Sequence, residues 1–323
     1  MRHLHVTEQH GVYTAALRNT APPVPRPGEV LVRVAASGLN RADLSQIAGR
    51  YPPPPGESEL LGMEVSGIVE STGERVCALL AGGGHAEQVA VPAGQLFPAP
   101  AGMDLVTAAG IPEAFLTAFV NLVVEAGLKS GDTVLIHAGA SGVGLAAIQV
   151  AKHLSARVAA TTRTRSKLAA LAAAGADLAL LSEGRSSAAE LERHWGSDAV
   201  DIILDPVGSA VLDPNLHVLA VGGRVIIIST LSGSKGELDL ALLMRKRARL
   251  MGSTLRSRSR EEKARLVTRF REEILPGFAA GRLRVIVDAV FPPERAAEAF
   301  QRMRDDRNVG KLLVDWGLAG RSG

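Results

Sequence analysis

The stretch from Thr133 to Ala147 reads TVLIHAGASGVGLAA. Its first five residues are mostly apolar, as in a fully buried parallel strand. Gly142, Gly144 and Ala147 follow with the spacing GxGxxA, where a helical run begins. In this setting the first glycine permits a tight turn, the second removes a Cβ from the approach of a pyrophosphate, and the alanine lets helix and sheet pack closely. The stretch predicts a dinucleotide-binding turn, with a glycine turn of an unrelated α/β protein as the alternative.

Apolar runs and helical runs alternate after this turn. Helical segments are predicted at 144–154 and 166–174, and they separate the first three strands. The strand candidates are short apolar runs with few polar residues, at 133–137, 157–161, 177–181, 201–204, 224–229 and 249–255. A strand–helix–strand alternation of this kind predicts a doubly wound parallel sheet, the Rossmann arrangement of an α/β protein.

The two ends of the chain have a different texture, rich in predicted strands. Val30, Val32 and Val34 alternate with other residues, which is typical of a half-buried strand. Further strands are predicted at 64–70, 74–79, 85–91, 283–290 and 311–316, with a helix at 293–304. Because 323 residues exceed what one core usually supports, we expect two domains. Residues 1–115 and 284–323 would form a β-rich domain, interrupted by residues 116–283.

Composition excludes several classes of protein. A hydrophobic content of 46% argues against a disordered chain, and the segment from Met1 to His5 is polar rather than signal-like. The formal net charge of +3 is small, and the basic run 245–249 has no interleaved aromatic residues, so we expect neither nucleic acid nor membrane as a partner. The single cysteine, Cys77, fits a reducing compartment. We therefore expect a cytoplasmic protein.

The second predicted strand indicates which dinucleotide is preferred. An NAD site usually places Asp or Glu about 20 residues after the first glycine, whereas this chain has TTRTR at 161–165. Arg163, Thr164 and Lys167 can donate hydrogen bonds to a 2′-phosphate, and no carboxylate would repel it. This pattern predicts NADPH as the cofactor, although Thr164 could instead cap the following helix.

Several short motifs, in order along nearly the whole chain, resemble those of the medium-chain dehydrogenase/reductase family in its zinc-independent quinone oxidoreductase branch. They are ASGLNRAD at 36–43, YPPPPG at 51–56, LGME at 61–64, IPEA at 111–114, IHAG at 136–139, LRSR at 255–258, ILP at 274–276 and NVGK at 308–311. The resemblance implies a GroES-like catalytic domain built from both chain ends, with an NADPH-binding Rossmann domain inserted into it. It also implies a homodimer that pairs through sheet edges.

The resemblance also implies the roles of individual residues. Asn40 would lie near the nicotinamide ribose and Tyr51 would contact the substrate carbonyl. Asn40 and Ser141 would each serve both catalysis and cofactor binding, and Tyr51 would serve catalysis. The other implied cofactor contacts are Gly139, Gly142, Val143, Gly144, Asn308 and Lys311. Asn40 capping a helix, Lys311 as a solvated strand residue and Tyr51 packing a proline-rich loop are the alternatives.

No metal site is expected. Zinc-bearing members of the family place a histidine where this chain has Met63 and a cysteine near Asn40. His85 and His137 are lone histidines, for which satisfied structural positions are the favoured interpretation.

The expected activity is NADPH-dependent hydride transfer to a small-molecule quinone or related electron-poor carbonyl. Reduction of an enoyl thioester or enone shares the cofactor residues and stays open. A non-catalytic, NADPH-binding regulatory protein is the third hypothesis, against which the presence of Tyr51 and Asn40 weighs.

Overall fold

The computed structural model describes residues 1–182 and 185–318. The chain divides into two compact units, one made of residues 1–116 and 255–323 and the other of residues 117–254. Within the described part of the chain, no helix is long and apolar enough to cross a bilayer.

The elements of the first segment are β1 (Arg2–Gln9), β2 (Val12–Asn19), β3 (Glu29–Gly38), α1 (Arg41–Ile47), β4 (Glu64–Val69), β5 (Arg75–Leu79), β6 (Gln88–Pro92), β7 (Leu96–Pro98), α2 (Leu105–Ala108) and α3 (Pro112–Phe119). Those of the middle segment are β8 (Thr133–Ile136), α4 (Gly142–His153), β9 (Arg157–Thr162), α5 (Leu168–Ala173), β10 (Leu178–Leu181), α6 (Arg185–Trp195), β11 (Val200–Asp205), α7 (Ser209–Val218), β12 (Leu219–Ile227), α8 (Leu240–Lys246) and β13 (Arg249–Gly252). The last segment contains α9 (Arg260–Glu273), α10 (Pro276–Ala279), β14 (Val287–Phe291), α11 (Ala296–Arg304) and β15 (Lys311–Asp315).

The unit formed by both chain ends is built on a mixed sheet in the order β14-β15-β3-β4-β5-β7, with β6 also paired to β3. The antiparallel pair of β3 and β15 joins the beginning of the chain to its end. Val32, Val34 and Val65 from the sheet pack with Phe300 of α11 in one buried cluster. Burial of these apolar side chains is the main force that holds the two distant segments in one unit.

No strand was predicted before residue 28, but the chain begins with the two-stranded antiparallel pair β1 and β2. In β2 exposed and half-buried residues alternate, so one face of the strand packs against the protein while the opposite face meets solvent. The predicted strand 85–91 begins later, at Gln88, because residues 85–87 pair with β1 through Leu4 N to His85 O and Glu87 N to Arg2 O. The predicted strand 283–290 likewise begins later, at Val287.

The second boundary between the units lies at residue 254, earlier than the expected residue 283. The reason is aromatic packing by the intervening helices. Phe270 of α9 packs edge-on against Phe97 of β7 with ring centroids 5.4 Å apart. Phe278 of α10 meets Phe115 of α3 at 4.8 Å. Both helices therefore belong to the unit formed by the chain ends.

The middle unit contains a six-stranded sheet in the order β10-β9-β8-β11-β12-β13, and every neighbouring pair is parallel. Numbered from β8, this is the order 3-2-1-4-5-6 of a doubly wound dinucleotide-binding sheet. The predicted doubly wound sheet is confirmed. Its chain order reverses between β8 and β11, and in such sheets ligands bind beyond the carboxyl ends of the strands at that reversal.

Candidate functional site

The glycine-rich turn lies between β8 and α4, as predicted. Gly139 N donates to Thr161 O of β9 at 2.7 Å, which ties the turn to the neighbouring strand. Ser141 is the N-cap residue of α4, and its Oγ accepts from Gly144 N at 3.0 Å. The half-exposed Val143 lies in the first helical turn. The backbone N–H groups at this helix start, together with the helix dipole, form a site that favours phosphate.

Gly144 is required by the protein's own backbone. A Cβ at this position would lie 2.5 Å from Ala138 O and 2.7 Å from Gly139 Cα. The expected reason for a glycine here was the approach of a pyrophosphate, but the turn excludes a side chain before any ligand arrives. The left-handed residue of the turn is Ala138, with φ of 48°, rather than Gly142.

The basic residues that follow β9 lie at the same edge of the sheet, because β8 and β9 are adjacent and parallel. Thr161 and Thr162 are buried, whereas Arg163 and Thr164 are exposed and Lys167 is half-buried. Thr164 occupies the N-cap position of a short 3₁₀ helix, and in the described structure its side chain makes no capping hydrogen bond. Its hydroxyl therefore does not serve the alternative role of a helix cap.

A buried polar network, which sequence reasoning did not assemble, lies where the strand order reverses. His137, directly after β8, contacts Thr161 Oγ1 through Nδ1 at 3.0 Å and Asn215 Oδ1 through Nε2 at 2.7 Å. Asn215 Nδ2 in turn donates to Asp205 Oδ2 at 3.1 Å. Burial lowers the pKa of His137 and raises that of Asp205. His137 is therefore a satisfied structural histidine, as expected, since both ring nitrogens are hydrogen-bonded.

In the other unit, Asn40 and Lys311 meet at a buried carboxylate. Lys311 Nζ donates to Glu64 Oε1 at 2.5 Å, to Leu39 O at 2.8 Å and to Asn40 Oδ1 at 2.9 Å. Asn40 Nδ2 donates to Glu64 Oε1 at 2.9 Å. An ammonium has three donors, and here all three are used within the protein. Lys311 is only 4% exposed, so it is not the solvated strand residue of the alternative interpretation.

The environment of Asn40 is built by neighbouring backbone and side chains. It is the N-cap residue of α1, and its backbone N–H donates to Asp43 Oδ2 at 2.8 Å. A Cβ at Gly38 would lie 2.3 Å from Glu64 Oε1, so a glycine is needed beside this carboxylate. Asn308, expected to close over a cofactor, donates from Nδ2 to Gly310 O at 2.8 Å on the way into β15.

Tyr51 is half-buried and is contacted by Arg256, a residue of the LRSR motif to which the sequence assigned no role. Arg256 donates from Nη1 to Tyr51 O at 2.9 Å, and its guanidinium carbon lies 5.1 Å from the centroid of the phenol ring. Burial, and then the charge of Glu113, raise the pKa of Tyr51, whereas Arg256 opposes the shift. A neutral phenol that can donate a hydrogen bond therefore prevails near neutral pH.

Glu113 is the second residue of α3, and the sequence did not indicate a role for its side chain. Its backbone N–H donates to Glu64 Oε2 at 2.9 Å. Burial, and then the Glu64 carboxylate, raise the pKa of Glu113 to about 7, against the attraction of Lys311. This carboxyl group therefore changes protonation near neutral pH. Its position in the IPEA motif is the only sequence signal that singled it out.

The positions at which zinc-bearing relatives hold a metal are otherwise used here. Met63 is 1% exposed in the core, and Asn40 is bound to Lys311 and Glu64. His85 is buried with Nδ1 2.8 Å from Ser37 Oγ. Across residues 1–182 and 185–318, no three His, Cys, Asp or Glu side chains are grouped as metal ligands.

The expected site residues thus fall into two groups. The unit of the chain ends holds Asn40, Tyr51, Asn308 and Lys311, of which Asn40 and Lys311 are in direct contact. The middle unit holds the others, which lie in the turn after β8 or after β9, namely Gly139, Ser141, Gly142, Val143, Gly144, Arg163, Thr164 and Lys167.

Comparison with known proteins agrees with both units. Residues 26–82 match the alcohol dehydrogenase GroES-like domain, and residues 142–271 match a family described as zinc-binding dehydrogenase. A quinone oxidoreductase of Lama guanicoe is 30% identical over 328 residues, which cover 97% of each chain. The chain belongs to the quinone oxidoreductase branch of the medium-chain dehydrogenase/reductase family. This membership confirms the expected pairing of a GroES-like domain with a Rossmann domain.

Other relatives extend the comparison. The quinone oxidoreductase from Thermus thermophilus, whose structures include a complex with NADPH, matches with a TM-score of 0.84 and 34% identity over 98% of this chain and 100% of that one. An enoyl reductase named JamJ matches with a TM-score of 0.81 and 27% identity over 97% of this chain and 98% of the other. A spectinabilin polyketide synthase system protein of Streptomyces orinoci is 35% identical over 301 residues, 89% of this chain, but the match spans only 13% of that protein's length.

Proposed function

We propose that this protein is an NADPH-dependent reductase that transfers hydride to a quinone or a related electron-poor carbonyl compound. The observation that carries the proposal is the Gly142–Gly144 turn at the start of α4, next to Arg163 and Thr164 at the end of β9. Helix N–H groups attract a pyrophosphate, and an arginine in place of a carboxylate favours a 2′-phosphate. The NADPH complex of the Thermus relative supports the same cofactor.

The residues of the turn fit such a cofactor. Ser141 Oγ accepts from Gly144 N, so its O–H can still donate to a phosphate oxygen. The N–H groups of Gly142 and Val143 begin α4 and precede its regular hydrogen bonds. Gly139 and Gly144 are required inside the turn, because a Cβ would lie 3.0 Å from Ala160 Cβ or 2.5 Å from Ala138 O, respectively. Lys167 and Thr164 would join Arg163 at the 2′-phosphate.

For Asn40 and Lys311 we propose one joint role, in which Lys311 orients Asn40, in place of two separate cofactor contacts. Lys311 and Glu64 hold both ends of the Asn40 amide, so its orientation is set before any ligand binds. Asn40 Oδ1 accepts from Lys311 through one lone pair, and its second lone pair can accept from a ribose hydroxyl. Lys311 would act through Asn40, and Asn308 would shape the entry to β15 beside it.

Bound NADPH would supply hydride from C4 of its dihydronicotinamide ring. Tyr51 would donate a hydrogen bond to the acceptor oxygen as negative charge develops there. A quinone or an α,β-unsaturated carbonyl gives a stabilised oxyanion or enolate, so a neutral phenol suffices and a metal is not required. The use of Met63 and Asn40 inside the protein supports zinc independence.

Reduction of an enoyl thioester is the second candidate. The likeness to the JamJ enoyl reductase and to the polyketide synthase protein favours it. Both activities use the same cofactor residues, so the difference lies in the acceptor. A regulatory protein without turnover does not require a phenol held in place by Arg256. This contact therefore weighs against the third hypothesis.

We also propose that the protein is a cytoplasmic homodimer. β13 is an edge strand of the parallel sheet and pairs with β12 on one side. Exposed edges of this kind readily pair with another chain, and a second copy would cover this one. Light scattering should give the mass of a dimer, and a monomer at micromolar concentration would overturn this part of the proposal.

The decisive experiment measures loss of dihydronicotinamide absorbance with NADPH and NADH across quinones, enones and enoyl thioesters. We expect the highest kcat/KM for a quinone with NADPH. Faster turnover of an enoyl thioester would establish the second candidate. Tight NADPH binding without turnover of any acceptor would contradict an enzyme and favour the regulatory protein.

A further inference from the structure

Arg256 is almost completely buried, with 4% of its surface exposed, although its guanidinium carries a positive charge. Burial of a charge is costly unless hydrogen bonds compensate for it. The burial lowers the pKa of Arg256, and the charges of Tyr51, Asp43 and Glu113, in that order, oppose this shift. A buried arginine that is not part of a close carboxylate pair needs a reason for its position, and its contacts supply one.

Its donors point to three separate parts of the chain. Arg256 Nε donates to Ala81 O at 2.7 Å and Nη2 donates to Gln46 Oε1 of α1 at 2.7 Å. Nη1 donates to Tyr51 O at 2.9 Å. The planar fork of a guanidinium fixes these three directions relative to one another. Tyr51 is thereby held against α1 and the segment that follows β5.

The same guanidinium also faces the phenol ring, with its carbon 5.1 Å from the ring centroid. A cation at this distance interacts favourably with the ring face, and more so with a phenolate. Two charged groups shift the pKa of Tyr51 in opposite directions. Glu113 disfavours loss of the phenol proton and Arg256 favours it. The charge of Lys263 in α9 also interacts with those of Glu113 and Arg256.

We propose that Arg256 is a positioning residue for Tyr51, holding the phenol in place and stabilising the phenolate that forms when its proton passes to the acceptor. This inference rests on the proposed function. Bound NADPH would supply the hydride, so that the acceptor gains two electrons and one hydrogen from the cofactor. The phenol O–H bond breaks as the acceptor oxygen gains a proton, and water then returns a proton to the phenolate.

The chain contains two tyrosines, Tyr13 and Tyr51, which permits a direct test. In a Tyr13→Phe background the ultraviolet absorbance of phenolate reports Tyr51 alone. Adding Arg256→Met should move this titration to higher pH, because the neighbouring cation is gone. Arg256→Lys retains a positive charge but not the planar guanidinium. In this variant Tyr51 should titrate at a pH between that of the protein with Arg256 and that of Arg256→Met. Far-ultraviolet circular dichroism at each pH confirms that the fold is retained.

Kinetics provide the second readout. Arg256→Met should lower kcat with quinones by about tenfold or more, since small displacements of a positioned group are costly, while KM for NADPH stays within about twofold. Arg256→Lys should recover part of kcat. Arg269→Met is the matched control, because it removes an equal charge from α9, where Arg269 pairs with Glu273.

Unchanged titration of Tyr51 in folded Arg256→Met or Arg256→Lys protein would overturn the proposal. A shifted titration with unchanged kcat would also overturn it, because the phenol would then play no part in turnover. The titration needs no substrate, so it stands apart from the proposed function. That function fails instead if the unmodified protein reduces no quinone with NADPH.

Discussion

Lys311 Nζ lies 2.5 Å from Glu64 Oε1, in an ion pair whose two side chains are 5% and 0% exposed. The pair joins β15 near the end of the chain to β4 near its beginning, and the same carboxylate accepts from Asn40. In the proposed enzyme this pair aligns the amide that would meet the cofactor ribose. Its removal should affect both stability and cofactor binding.

Lys311→Met should lower the free energy of unfolding by about 3–5 kcal/mol, because it leaves a buried carboxylate without its counter-charge. Urea denaturation measures this loss. Lys152→Met is the control, since its pair with Asp177 is about one-third exposed and such pairs contribute at most about 1 kcal/mol. Equal losses in both variants would show that the Lys311 pair has no special structural role.

Gly144→Ala should destabilise the turn before α4, because the added Cβ would lie 2.5 Å from Ala138 O. Forced displacement of close-packed backbone costs about 1–3 kcal/mol, and KM for NADPH should rise together with it. At Gly252 in β13 an added Cβ meets nothing within 4 Å. Gly252→Ala should therefore leave both stability and KM nearly unchanged. A stable Gly144→Ala protein with normal KM would contradict the proposed role of the turn.

Arg163→Glu should reverse the coenzyme preference. A carboxylate at the end of β9 repels a 2′-phosphate and can accept from a ribose 2′-hydroxyl. We expect kcat/KM with NADPH, relative to NADH, to fall by about tenfold or more, corresponding to one lost charge-assisted contact of about 1.5–3 kcal/mol. Arg193→Glu makes the same charge change at an exposed position in α6. A similar effect in both variants would point to net charge rather than to a phosphate contact.

Glu113 makes stability depend on pH in a defined direction. Its pKa is raised from 4.5 to about 7, so between these values the folded protein keeps a proton that the unfolded chain releases. Stability is therefore greatest below pH 4.5 with respect to this group, and it declines as the pH rises to about 7, by on the order of 2–3 kcal/mol. Glu113→Gln should abolish this component.

Urea denaturation at a series of pH values compares the two proteins. Glu59→Gln is the control, because Glu59 is exposed, and it should retain the pH dependence of the unmodified chain. A Glu113→Gln protein that still loses the same stability between pH 4.5 and about 7 would assign the effect to other groups.

Tyr51→Phe should lower kcat with quinones more than it changes KM for NADPH, because the variant loses the phenol donor and retains the ring. Removal of one donor at a developing oxyanion costs up to about 10²–10³ in kcat. Tyr13→Phe removes the other phenol of the chain, which stacks on Phe300 at 6.0 Å, and it should leave kcat unchanged. Unaltered quinone kinetics in Tyr51→Phe would exclude the proposed contact.

Much of the Rossmann unit could be predicted from sequence because its signals are local. A buried strand, the GxGxxA spacing and the helix start all fall between Thr133 and Ala147, and each neighbouring strand is a short apolar run. The β1–β2 hairpin was missed because only alternate side chains of its second strand pack. The boundary at 254 was missed because α9 and α10 are assigned to their unit by contacts with Phe97 and Phe115, which periodicity does not reveal.

The doubly wound sheet, the glycine-rich turn before α4 and the absence of a carboxylate directly after β9 could all be predicted from the sequence alone. Each depends on residues close together in the chain, where steric rules act directly. Only the tertiary structure decided that Lys311 serves Glu64 and Asn40, and that Arg256 holds Tyr51. Lys311 lies 247 positions from Glu64 and 271 from Asn40, and Arg256 lies 205 positions from Tyr51. They meet because burial of a common core brings distant segments together, and a charged group buried there must find whichever polar partner the packing provides.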